Sequence, residues 1–123
     1  MKRIFLVVIL LFAAVNVYAL ETMLSKARNI TLPVLQYREA TIGAILEDIQ
    51  NKSIGLDPEG LGINFVITLD ESLLNKQLTM TIGNPTIERA LKLLAASAPI
   101  YFQYQPGAVL VKRLSDASDH TEK

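Results

Sequence analysis

The sequence predicts a small α+β domain, two helices set among short strands in the order β-α-β-β-α-β-β. Three observations predict it. The hydrophobic period switches repeatedly between two and 3.6 residues from Ile30 to Leu114. Each of two amphipathic stripes lies between alternating segments, as helices of a mixed domain do. Glycine and proline punctuate the junctions, where a chain has to turn.

Taken in order, Pro33, Leu35 and Tyr37 alternate with Val34, Gln36 and Arg38, which reads as a strand. Proline at its start marks an edge, because it donates no ladder hydrogen bond. Thr41 then caps a helix whose apolar residues Ile42, Ile45, Leu46 and Ile49 share one face. That helix is expected to end near Ser53, with Gly55 supplying a left-handed terminus. Residues 55–62 form a turn-rich loop. Ile63, Phe65, Ile67 and Leu69 lie on one face of a strand that hydrophobicity makes central. Gln77 to Ile82 alternates cleanly, with Leu78, Met80 and Ile82 turned inward.

Asn84 and Pro85 open a second helix, a cap residue followed by proline at the first helical position. Ile87, Ala90, Leu91 and Leu94 form its apolar stripe, and Glu88 and Lys92 are spaced to pair on its wet side. Pro99 stops it. Ile100 to Tyr104 and Ala108 to Lys112 make a hairpin around Gln105-Pro106-Gly107, with Phe102 and Tyr104 turned to the core. The order suggests that the opening strand pairs with this hairpin and the two middle strands pair with each other. Thr41 to Leu46 parallels Thr86 to Leu91, which points to a duplicated β-α-β unit.

The ends carry other information. Lys2 and Arg3, the apolar run Ile4 to Ala14, and Val17-Tyr18-Ala19 follow the order of a secretory signal, with cleavage expected after Ala19. That signal places the mature chain in the periplasm or outside the cell. The alternative is an uncleaved inner-membrane anchor over residues 4–20, at the short end of the roughly 17–25 residues that span a bilayer. Residues 20–29 read as a leader or loose helix, 30–114 as the folded domain, and 115–123 as a disordered tail. Without Lys2 and Arg3 the acids slightly outnumber the bases, so nothing favours nucleic acid or an anionic membrane as a target.

The residues from Pro33 to Ile42 resemble the opening of the short N-terminal domain shared by secretins and TonB-dependent receptors, with Ile45-Leu46 at the place of that family's paired apolar residues. Asn64 to Ile67 resembles the family's second strand. Leu78 to Leu91 is similar to its run of strand, proline and helix ending in Ala-Leu, and residues 101–104 and 108–111 to its closing hairpin. The likeness covers about Ile30 to Arg113 and departs from the family at the insert around 56–62. It implies the small two-helix fold and a protein-contact module. Pore formation and siderophore transport are not carried over.

Catalysis needs a nucleophile with a base, a tuned acid/base pair or a metal. The chain has no cysteine, and its one histidine, His120, falls in the expected tail. No enzyme, cofactor or metal is therefore expected. Asp57-Pro58-Glu59 reads as a solvated turn, since two carboxylates flanking a proline lack the spacing of a calcium loop. Asn29-Ile30-Thr31 and Asn51-Lys52-Ser53 match a glycosylation pattern by accident of composition.

The expected function is binding of another envelope protein by strand addition, the chain serving as an accessory to a secretin or TonB-linked system. Open edges of small sheets invite that mode. The residues expected to flank the added strand are Val34, Gln36, Arg38, Gln77, Thr79 and Thr81, with Tyr101 as a further surface candidate. Two alternatives are a small-ligand or glycan binder and, if the signal is retained, a membrane-tethered structural subunit.

Overall fold

The computed structural model describes residues 23–115, so the expected signal, the tail from 116 onward and His120 lie outside the described residues. Its elements are α1 (residues 23–29), β1 (Leu35–Thr41), α2 (Ile42–Leu56), β2 (Phe65–Ile67), α3 (Glu71–Leu74), β3 (Gln77–Ile82), α4 (Ile87–Ser97), β4 (Ile100–Gln105) and β5 (Ala108–Arg113). The α+β class is the expected one, with α1 and α3 added to the expected order.

Both long helices are started by threonine. The Thr41 hydroxyl accepts from Ala44 N–H at 3.1 Å, and the Thr86 hydroxyl accepts from Arg89 N–H at 3.2 Å. Each hydroxyl satisfies a donor that the first helical turn leaves without a partner. Thr86, and not Asn84, is thus the cap of α4. Asn84 sits two residues earlier in the left-handed region at φ 41°. Nor does α2 end near Ser53 on a left-handed Gly55. It runs on to Leu56, with Asp57 N–H bonded to Ser53 O at 2.9 Å, while Gly55 lies within the helix and Gly60 and Gly62 take the positive φ values.

The sheets pair otherwise than expected. β1 pairs antiparallel with β3 in a two-stranded ribbon. The other sheet has the order β2-β5-β4, with β2 parallel and β4 antiparallel to β5. The strand over Ile63–Leu69 is therefore not central. Only Phe65–Ile67 is ladder, and it lies at an edge, because the hairpin brings β5 between the other two. The hairpin itself turns on Pro106 and on Gly107 at φ 79°, the proline and left-handed glycine that its tight turn requires.

One core joins everything. Ile42, Ile45, Leu46 and Ile49 of α2, and Ile87, Ala90, Leu91 and Leu94 of α4, are at most 1% exposed. Around them lie Leu32, Leu35, Ile63, Ile100, Val109 and Val111, all similarly buried. Residues 23–29 are no loose leader. Met23 and Ala27 are buried, Arg28 Nε meets Glu88 Oε2 of α4 at 3.2 Å, and Lys26 reaches the loop after α2. Arg28, not Lys92, is thus the partner of Glu88.

The duplication suggested by the two Thr-Ile openings extends to backbone geometry. Ile42, Ile45, Leu46 and Ile49 match Ile87, Ala90, Leu91 and Leu94 one for one, all buried. Two residues before each cap stands a non-glycine residue in the left-handed region, Glu39 at φ 49° and Asn84 at φ 41°. The first helical amide then bonds across the ribbon in both halves, Ile42 N–H to Lys76 O at 3.0 Å and Ile87 N–H to Ile30 O at 3.1 Å. The two strand-cap-helix segments are thus alike in pattern and backbone geometry, and their strands β1 and β3 run antiparallel.

Candidate functional site: the ribbon and its edges

Gln36 faces Thr81 across the ribbon, Thr41 faces Gln77, and the bridge of Thr31 to Thr86 prolongs the same antiparallel run past Pro33. Alternation sends Leu35, Tyr37, Leu78, Met80 and Ile82 inward. Gln36, Arg38, Gln77, Thr79 and Thr81 then stand on the exposed face. Val34, 47% exposed, precedes β1. The structure therefore gathers five of the seven expected contact residues on one ribbon, with Val34 immediately before it. Tyr101 does not join them. It is half-buried on β4 of the other sheet, opposite Lys112.

A β-bulge divides the ribbon. Tyr37 faces Met80 and Ala40 faces Leu78, so Arg38 and Glu39 together oppose Thr79. The Thr79 hydroxyl accepts from Glu39 N–H at 2.9 Å, supplying the partner that the interrupted ladder withholds. Glutamate in the left-handed region is strained, and such strain persists only where the surroundings impose it. Glu39 was missed in the sequence, although the signal was there: Tyr37 and Ala40 both turn inward, three residues apart, which strict alternation forbids.

Beneath the ribbon, Tyr37 is pinned to α2. Its hydroxyl donates to Asp48 Oδ2 at 2.8 Å, and Lys52 Nζ approaches the same oxygen at 2.6 Å. Burial raises the Tyr37 phenol far above its ordinary value, and the neighbouring Asp48 carboxylate adds to the effect. This tyrosine stays protonated and works as a strut, with no proton to exchange near neutral pH. Tyr104 is raised to about 12, by burial first and by Glu88 second, with Arg28 opposing.

The 57–62 loop corrects the expectation of a solvated turn. Asp57 is buried, its side chain 2% exposed, and Lys26 Nζ lies 2.9 Å from its Oδ2. It also accepts from the amides of Glu59 at 3.2 Å, Leu61 at 3.2 Å and Gly62 at 2.8 Å. Burial works to raise this carboxyl, but Lys26 and the amides of Gly62 and Glu59 outweigh it and hold it at about 2. Asp57 thereby ties α1, the end of α2 and the loop into one unit. Ser53 completes the knot, donating to Gln50 O at 2.6 Å and accepting from Ile63 N–H at 2.8 Å, so its hydroxyl is sealed within the fold.

The second sheet presents another edge. Among the described residues β2 is bordered only by β5, and Val66 and Ile67 are 42% and 39% exposed. Sequence reasoning took this strand as central, and so passed over it as a surface.

Among the described residues no helix is long and apolar enough to cross a membrane, and no group of three His, Cys, Asp or Glu residues is placed to hold a metal ion. No protein-family model, curated protein or solved structure matches the chain.

Proposed function

We propose that this chain is an exported, non-catalytic contact module of the cell envelope that binds an extended segment of another protein along the β1–β3 ribbon. In this reading it belongs with the short N-terminal domains of secretins and TonB-dependent receptors, and acts as an accessory to such a system in the periplasm. The observation that carries the proposal is the ribbon itself. Two strands pair only with each other among the described residues, and their exposed face groups Gln36, Arg38, Gln77, Thr79 and Thr81. Each outer edge offers backbone donors and acceptors to an added strand. The polar side chains bordering those edges select the partner, while the main-chain bonds supply the affinity.

The bulge sets where a strand fits. Arg38 and Glu39 interrupt the regular edge of β1. The edge of β3, regular from Gln77 to Ile82, is therefore the better acceptor. The test is crosslinking in the native envelope from a photoreactive residue at Thr81, compared with the same protein carrying Gln77→Pro. A discrete adduct with an envelope protein is expected from Thr81, and its loss is expected with Gln77→Pro. An adduct unchanged by that substitution, or none from Gln36, Thr79 or Thr81, would sink the reading.

A further inference from the structure

The free edge of β2 carries an inference about the other sheet, independent of what the ribbon binds. On one side β2 pairs with β5, Phe65–Ile67 lying parallel to Val109–Val111. β5 is flanked on its other side by β4, antiparallel from Ile100–Arg113 to Gln105–Ala108. Among the described residues no strand lies along the other edge of β2.

We infer that a second copy of this chain fills that position, β2 pairing antiparallel with β2 about a two-fold axis through Val66. The ladder bonds make the strand self-complementary. Asn64 O accepts from Val109 N–H at 2.7 Å and Thr68 N–H donates to Val111 O at 3.0 Å, so residues 64, 66 and 68 turn their main chain toward β5. Alternation turns the amide and carbonyl of Phe65 and Ile67 toward the free edge. A two-fold through Val66 sets Phe65 against Ile67 of the other copy, twice over, and each pair exchanges both of its hydrogen bonds. Such a closed, isologous contact limits assembly to a dimer.

Side chains and charge agree. The pairing covers part of Val66 and Ile67, each more than a third exposed. Residues 64–68 are Asn-Phe-Val-Ile-Thr, so no like charges meet. The edge of β1, by contrast, carries devices that discourage association between copies, Pro33 and the Arg38-Glu39 bulge. Within residues 64–68 there is no proline, charge or bulge.

The absence of cysteine permits a direct test. In Val66→Cys the two-fold brings equivalent α-carbons to roughly 4.5 Å, within the span of a disulfide. In Thr68→Cys the cysteine faces Asn64 of the other copy and has no thiol partner. Under mild oxidation Val66→Cys is expected to form a covalent dimer at least about ten-fold faster than Thr68→Cys or Ile54→Cys, because association supplies a high effective concentration. Sedimentation of the unsubstituted protein is expected to show a dimer that Val66→Lys abolishes while its circular dichroism is unchanged. Equal crosslinking rates at the three positions, or a monomer at every concentration reached, would overturn the inference. Substitutions at Gln77 or Thr79 leave the dimer intact, so its failure and that of ribbon binding are told apart.

Discussion

Asp57 shows most plainly how one residue changes meaning on folding. In the sequence it sits beside a proline and a glutamate and looks wet. In the fold it is the acceptor for three amides and for Lys26. Its carboxyl is held at about 2, below the ordinary 3.8 it regains on unfolding. The stability it adds is therefore fully present above pH 4 and is lost as pH falls from about 4 to 2. The melting temperature is expected to fall over that window, and Asp57→Asn to be less stable at neutral pH with a shallower fall in acid. Asp57→Ala, which strands Lys26 and three amides, is expected to cost about 3–5 kcal/mol in urea unfolding. Gly62 gives a second test at this scale. At φ 68°, a β-carbon there would stand 2.6 Å from Ser53 Oγ and 2.7 Å from Ile54 N. The strain alone costs Gly62→Ala about 1–3 kcal/mol, and the overlap adds to it.

At the scale of elements, the two caps are a matched pair, and their energies are expected to match too. Thr41→Ala and Thr86→Ala each remove one hydroxyl acceptor from a helical first turn, at about 1 kcal/mol apiece. Because the two caps share no partner, the double variant is expected to lose the sum, read from denaturant midpoints. Stripe residues cost more. Leu46→Ala and Leu91→Ala each empty a fully buried position and are expected to lose about 2–5 kcal/mol. Leu93→Ala, on the 38% exposed side of α4, is expected to change stability little. A loss at Leu93 equal to that at Leu91 would contradict the helix orientation.

For the whole molecule, the decisive fact is that two small sheets share one core. Neither the ribbon nor the three-stranded sheet could bury its apolar face alone, since sheets of this size are marginal in isolation. α2 packs beneath β1 while α4 packs on β4, and residues from α1 to β5 enter the same buried cluster. A single cooperative unfolding transition is expected, with backbone and aromatic circular dichroism signals coinciding. Two separated transitions would show that the two sheets fold on their own.

Much of this was legible in the chain because it depends on local pattern. The helical stripes, the Thr41 cap, the clean alternation of β3, the hairpin turn and the paired Thr-Ile openings are written in spacing, which needs no distant partner to have effect. The ribbon's outward residues were readable for the same reason: alternation assigns them a face whatever the strand pairs with. Tertiary structure alone decided that β1 joins β3, that β5 enters between β2 and β4, that residues 23–29 pack down, and that Asp57 is buried against Lys26. Each of those outcomes is a contact between residues far apart in sequence. Apolar strands of similar pattern compete for the same neighbours, and only the shared core, filled once and without gaps, selects among them.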